Sequence, residues 1–170
     1  VPIFGERMKL KQILNEIGDR SQLPQGAKCL VGEHKGNVKF NFLGDDYLLD
    51  IKVIIKNSGK IGLFVEFTAN KDNESYGLTN KNAAIELMSY IVGGLEEWII
   101  KYLKKYGQYS VALLRYIAKS EEDEETINNN IRDKLYQKFI ERFAKKYGSS
   151  IIITQQNGTN VKFDPPLTLK

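Results

Sequence analysis

Residues 81–106 read KNAAIELMSYIVGGLEEWIIKYLKKY, and the periodicity of this run decides the fold. Upstream of it apolar residues alternate; within it they recur every third or fourth position. Ala84, Leu87, Met88, Ile91, Leu95, Trp98, Ile99 and Tyr102 fall on one face of a helix. Asn80 or Asn82 is placed to cap its start, since a short polar side chain can accept from the unpaired first N–H groups. Gly93-Gly94 lies in mid-helix, where each glycine costs about 1 kcal/mol relative to alanine. Such a pair points to close packing against a neighbouring sheet or to a kink.

Outward on the N-terminal side lies a series of strands. Val38, Phe40 and Phe42 alternate with Lys39, Asn41 and Leu43. Gly44-Asp45 reads as a two-residue hairpin loop, with residues 47–55 returning. Asn57-Ser58-Gly59-Lys60 is a second turn and residues 61–68 a third strand rich in β-formers. Residues 70–74 read as a polar turn and 75–79 as a short fourth strand, which completes an antiparallel meander. Farther upstream, Leu10, Ile13, Leu14 and Ile17 recur at helical spacing, with Gly18 as a stop. Residues 18–36, rich in glycine and polar side chains, read as a linker holding at most one short strand. The stripe from Met8 to Ile17 needs an apolar partner surface, in this chain or another.

On the C-terminal side, residues 109–118 (YSVALLRYIA) read as a buried strand. A second helix is expected over residues 120–147. Ser120 caps it, and Glu121, Glu122, Asp123, Glu124 and Glu125 set negative charge on its positive end. That role accounts for the acidic run without a metal. Ile127, Ile131, Leu135, Phe139 and Phe143 follow at four-residue spacing, and Gly148 closes the helix after Lys145 and Lys146. Residues 150–155 read as a strand, Asn157-Gly158 as a hairpin loop and residues 160–163 as its return. Pro165-Pro166 is expected to end regular structure. The expected fold is therefore α+β: an antiparallel meander, then helix, strand, helix, strand, strand, giving a mixed sheet flanked by two long helices. Residues 1–36 form an N-terminal helix and linker, 37–164 the domain, and 165–170 a short tail.

Composition narrows the chemistry. The 170 residues suit one domain. Cys29 and His34 are the single cysteine and histidine, so neither an internal disulfide nor a zinc site of Cys and His ligands can be assembled. Ser-His-Asp or Cys-His chemistry would rest on His34, which reads as a loop residue between Gly32 and Gly36. The lack of disulfides suits a reducing compartment. No apolar run approaches the roughly 20 residues of a membrane span. The start Val1-Pro2-Ile3-Phe4-Gly5 has neither the basic nor the apolar region of a signal peptide. Net charge is +4, which permits a nucleic-acid partner, but the lysines are spread without a dense block. No strand interleaves aromatic and basic residues as RNA-binding sheets do. Most of the nine Tyr and eight Phe sit at core periodicity.

Two segments carry a resemblance. Tyr76-Gly77-Leu78-Thr79-Asn80-Lys81-Asn82-Ala83-Ala84 opens the first long helix, and Arg132-Asp133-Lys134-Leu135-Tyr136 lies in the second. With the element order, they resemble the second half of the GNAT N-acetyltransferase fold. The stretch 37–163 also looks like small proteins of tailed bacteriophages, which carry a Tyr-x-Ile-Thr-Gly-Thr-Gly-like segment before a long helix and Arg-x-x-Leu-Tyr in the next. The acetyltransferase resemblance implies acetyl-CoA held at the first helix start by Leu78, Thr79, Asn80, Lys81, Asn82 and Ala83, where backbone N–H groups bind the pyrophosphate. It implies Tyr136 as acid on the departing thiolate, and Glu66 inside the third strand could serve as base. Read from the residues alone, Glu66 faces solvent or pairs with a cross-strand lysine, Tyr136 belongs to the core or an interface, and Lys81 is solvated. Arg132 folds over Tyr136 or pairs with Asp133 or Glu125.

Asn80 and Asn82 stand where that family uses glycines, and an asparagine side chain fills space a phosphate needs. The helix pair that many members place between the first two sheet strands has no counterpart. The expectation therefore leans away from an enzyme. It is a non-catalytic phage structural or accessory protein without cofactor or metal, located in the virion or host cytoplasm. It would contact other virion proteins or copies of itself. An acetyl-CoA-dependent N-acetyltransferase and a nucleic-acid-binding accessory protein are the alternatives.

Overall fold

The computed structural model describes residues 23, 25–70, 81–117 and 126–169. Seven strands make one mixed sheet: β1 (Lys28–Val31), β2 (Lys35–Phe42), β3 (Asp45–Ile55), β4 (Lys60–Asn70), β5 (Ser110–Tyr116), β6 (Ser150–Gln155) and β7 (Thr159–Leu167). Across the sheet they run β1-β2-β3-β4-β5-β7-β6. β4 and β5 are parallel and the other neighbouring pairs antiparallel. Parallel neighbours need a long crossover, and helix α1 (Lys81–Lys105) lies within it. Helix α2 (Thr126–Lys146) lies between β5 and β6.

Strand alternation sends one side chain in two to each face. Val38, Phe40 and Phe42 of β2, Tyr47, Leu49, Ile51 and Val53 of β3, Ile61, Leu63 and Val65 of β4, and Val161 and Phe163 of β7 are all buried on one face. Both helices cover that face: α1 packs on β1, β2 and β3, α2 on β6, and the two touch each other. From α1, Leu87, Met88, Ile91, Leu95, Trp98, Ile99 and Tyr102 join the core, and from α2, Leu135, Phe139 and Phe143. Gly94 is explained by close approach to the sheet, because a Cβ there would sit 3.1 Å from Val38 Cγ1. An exposed bridge from Lys146 Nζ to Glu96 Oε2, 2.9 Å, also links the helices.

Several boundaries differ from the sequence reading. The first hairpin loop is Leu43-Gly44, not Gly44-Asp45, because Phe42 pairs with Asp45 and both loop residues take positive φ, 51° and 87°. The short strand allowed within residues 18–36 is β1, and β2 starts at Lys35. β1 pairs antiparallel with β2, Cys29 and Val31 pack against the core, and Val53 N donates to His34 O at 2.8 Å. Pro165-Pro166 does not end β7, which continues to Leu167. The register jumps from Leu113↔Lys162 to Val111↔Leu167, so the prolines occupy a bulge that needs no N–H for the β5 ladder. The expected helix over 6–17, the strand over 75–79 and the acidic cap of α2 lie outside the described residues.

Candidate interaction face

The helices cover one side of the sheet, and no described element covers the other. Its side chains come from the alternate residues of each strand, and the register aligns them into rows. One row runs Ile54, Gly62, Leu113, Lys162, Ile152 across β3, β4, β5, β7 and β6. Ile54 is 55% and Ile152 50% exposed, and Leu113 is half-buried. The next row runs Lys52, Phe64, Arg115, Asn160. Arg115 lies with its guanidinium carbon 5.7 Å from the Phe64 ring centroid. Its Nε and Nη2 donate to Asn157 O at 3.2 and 2.7 Å. Two hydrogen bonds and the ring quadrupole together fix this arginine flat on the face.

The third row holds Asn37, Asp50 and Glu66. Lys52, Arg115 and Lys162 are thus interleaved with Asp50, Glu66 and, on β7, Asp164. The face mixes the apolar Ile54, Leu113, Phe64 and Ile152 with charges of both signs, and Lys162 lies between Leu113 and Ile152. Lys35 stands directly opposite Lys52 in the second row, so the basic residues are not separated throughout by acidic ones. Cross-strand register alone builds the patch: no single strand displays it.

Glu66 is exposed on this face and lies opposite Asp50, not a lysine. Tyr136 sits in the helix layer, its ring edge-on to that of buried Tyr116 at 5.7 Å and 88°. The sheet therefore separates the two residues. Leu78, Thr79 and Asn80 lie outside the described residues. Lys81, Asn82 and Ala83 form the first turn of α1, with their side chains outside the description, as is that of Arg132. His34 is a loop residue, its side chain 73% exposed. Among the described residues, no three His, Cys, Asp or Glu side chains gather as metal ligands, and no helix is long and apolar enough to cross a membrane.

Two polar clusters went unread in the sequence because their members are far apart along it. Asp133 accepts from Tyr116 Oη at 2.7 Å, Gln155 Nε2 at 3.1 Å and Gln137 Nε2 at 3.2 Å, and Thr159 Oγ1 lies 3.2 Å from both its oxygens. Burial first, then the Asp133 hydrogen bond, pushes the Tyr116 hydroxyl far above the usual phenol range. At the other end of the sheet, Trp98 Nε1 donates to Leu30 O at 2.9 Å, Tyr102 Oη to Glu33 O at 2.9 Å and Tyr109 Oη to Glu33 Oε2 at 2.6 Å. Both clusters tie helices to the sheet. No family model, curated protein or solved structure matches this chain.

Proposed function

We propose that this chain is a non-catalytic binding protein on an acetyltransferase-like frame, acting through protein–protein contact at the open sheet face. The observation that carries the reading is the row Ile54, Leu113, Ile152 beside Phe64. These are apolar side chains, three on inner strands and Ile152 on the edge strand beyond Lys162, on a face no described element covers. Exposed apolar side chains grouped on one face mark protein contact sites, and charges of both signs among them orient a partner. The placement of Glu66 and Tyr136 on opposite sides of the sheet supports the absence of chemistry, since an acid and a base serving one acyl transfer must both reach one substrate. The strand order with its parallel β4–β5 pair supports the frame. The resemblance to small proteins of tailed phages supports a virion or accessory role, with other virion proteins as partners.

A photo-crosslinking residue at Leu113, with one at exposed Lys104 on the helix layer as control, tests the contact in assembled particles. The expected result is a protein adduct from position 113 and none from 104. Nucleic-acid adducts at 113, or adducts at 104 alone, would overturn the assignment of this face, and absence of the chain from purified virions by mass spectrometry would overturn the virion role.

A further inference from the structure

The two edges of the sheet are treated differently. β1 is four residues long, begins with Lys28, and two of its carbonyls are taken by α1: Leu30 O by Trp98 Nε1 at 2.9 Å and Val31 O by Lys105 Nζ at 3.3 Å. Short length and charge are how natural sheets guard an edge against pairing. β6, at the other edge, reads Ser-Ile-Ile-Ile-Thr-Gln over Ser150–Gln155. It has no charge, no proline and no glycine, and among the described residues only β7 pairs with it. Beside it, α2 leaves a groove of about 350 Å³ lined by Lys134, Leu135, Lys138, Glu141, Ile151 and Ile153. An unguarded β-branched edge next to a half-apolar groove is a template for an added strand.

We infer that β6 pairs antiparallel with β6 of a second copy, around a two-fold axis normal to the sheet through Ile152. Three features select a second copy over another strand. A neutral strand opposes itself without like charges meeting. Registering Ile152 against its own counterpart sets Ile151 opposite Ile153, so inward residues stay inward and both helix layers lie on one side. The α2 helices then run antiparallel. The Lys134 end of one groove meets the Glu141 end of the other, where Glu141 also lies 3.8 Å from Lys138 of its own helix, a charge arrangement that a two-fold axis makes self-complementary. The contact uses the sheet edge; because Ile152 also lies in the open-face row, Leu113→Lys, which changes that face alone, is expected to leave the dimer intact.

Sedimentation equilibrium of the full chain at about 100 μM is expected to return twice the 19.4 kDa chain mass. Ile152→Lys places a charge at the edge; because Ile152 is 50% exposed, the circular dichroism of the fold stays unchanged while the dissociation constant rises at least about tenfold. In a Cys29→Ser background, Ile152→Cys is expected to form a disulfide-linked dimer on mild oxidation. A monomer at that concentration overturns the inference. So does a dimer that survives Ile152→Lys and gives no crosslink at position 152.

Discussion

Replacing Trp98 with alanine is expected to cost about 4 kcal/mol of stability, within the range for deleting a large buried aromatic. Trp98 is 0% exposed and stacks on Tyr102 at 5.1 Å. Its indole N–H holds Leu30 O, and Gly36 is glycine because a Cβ there would run into Leu30 O and the indole. The ring thus fills the core and clamps β1 at once. Trp98→Phe separates these roles: it keeps most of the packing and loses the donor, for about 1–2 kcal/mol. Urea unfolding followed by circular dichroism measures both, since the chain's single tryptophan is the one removed. Faster hydrogen exchange in β1 than in β3 is expected in each variant. Equal protection in both strands would mean that the indole does not hold the edge.

Asp133→Ala is expected to cost about 1–3 kcal/mol. An ionised carboxylate only accepts, and this one serves Tyr116, Thr159, Gln155 and Gln137. Removing it leaves the buried Tyr116 hydroxyl without its acceptor, at about 1–3 kcal/mol, whereas Thr159 Oγ1 keeps Gln155 Oε1 at 3.2 Å. Asp133→Asn keeps one accepting oxygen and should fall between wild type and alanine. The same cluster predicts alkaline sensitivity. Because Tyr116 is raised above its ordinary value of 10.0, its contribution is complete below pH 10 and is lost as pH climbs towards the folded value. Thermal midpoints should therefore fall from about pH 10 upward. A flat profile to pH 12 would contradict the buried neutral phenol.

The elements with a strong hydrophobic period were the legible ones. β6 begins and ends at its expected bounds, Ser150–Gln155, a run of β-branched residues, and α1 spans Lys81–Lys105 against an expected 81–106. β1 was hard to read because it has four residues and two of them face out. The β7 extension through Pro165-Pro166 was hidden because a bulge suspends the hydrogen bonds proline cannot make. The candidate face was invisible for another reason. Ile54, Leu113 and Ile152 are spaced about a hundred residues from first to last, and each looks like an ordinary strand residue until the register sets them in one row. The Asp133 cluster is the same case, since Tyr116 and Thr159 reach it from β5 and β7.

The most direct measurement is isothermal calorimetry of the full chain with acetyl-CoA. A frame without its acyl-transfer chemistry predicts no binding heat up to about 1 mM cofactor, with the fold intact by circular dichroism. Micromolar binding that disappears when Asn82 is replaced by a bulky residue would contradict it, placing the cofactor at the start of α1 and restoring the enzyme reading.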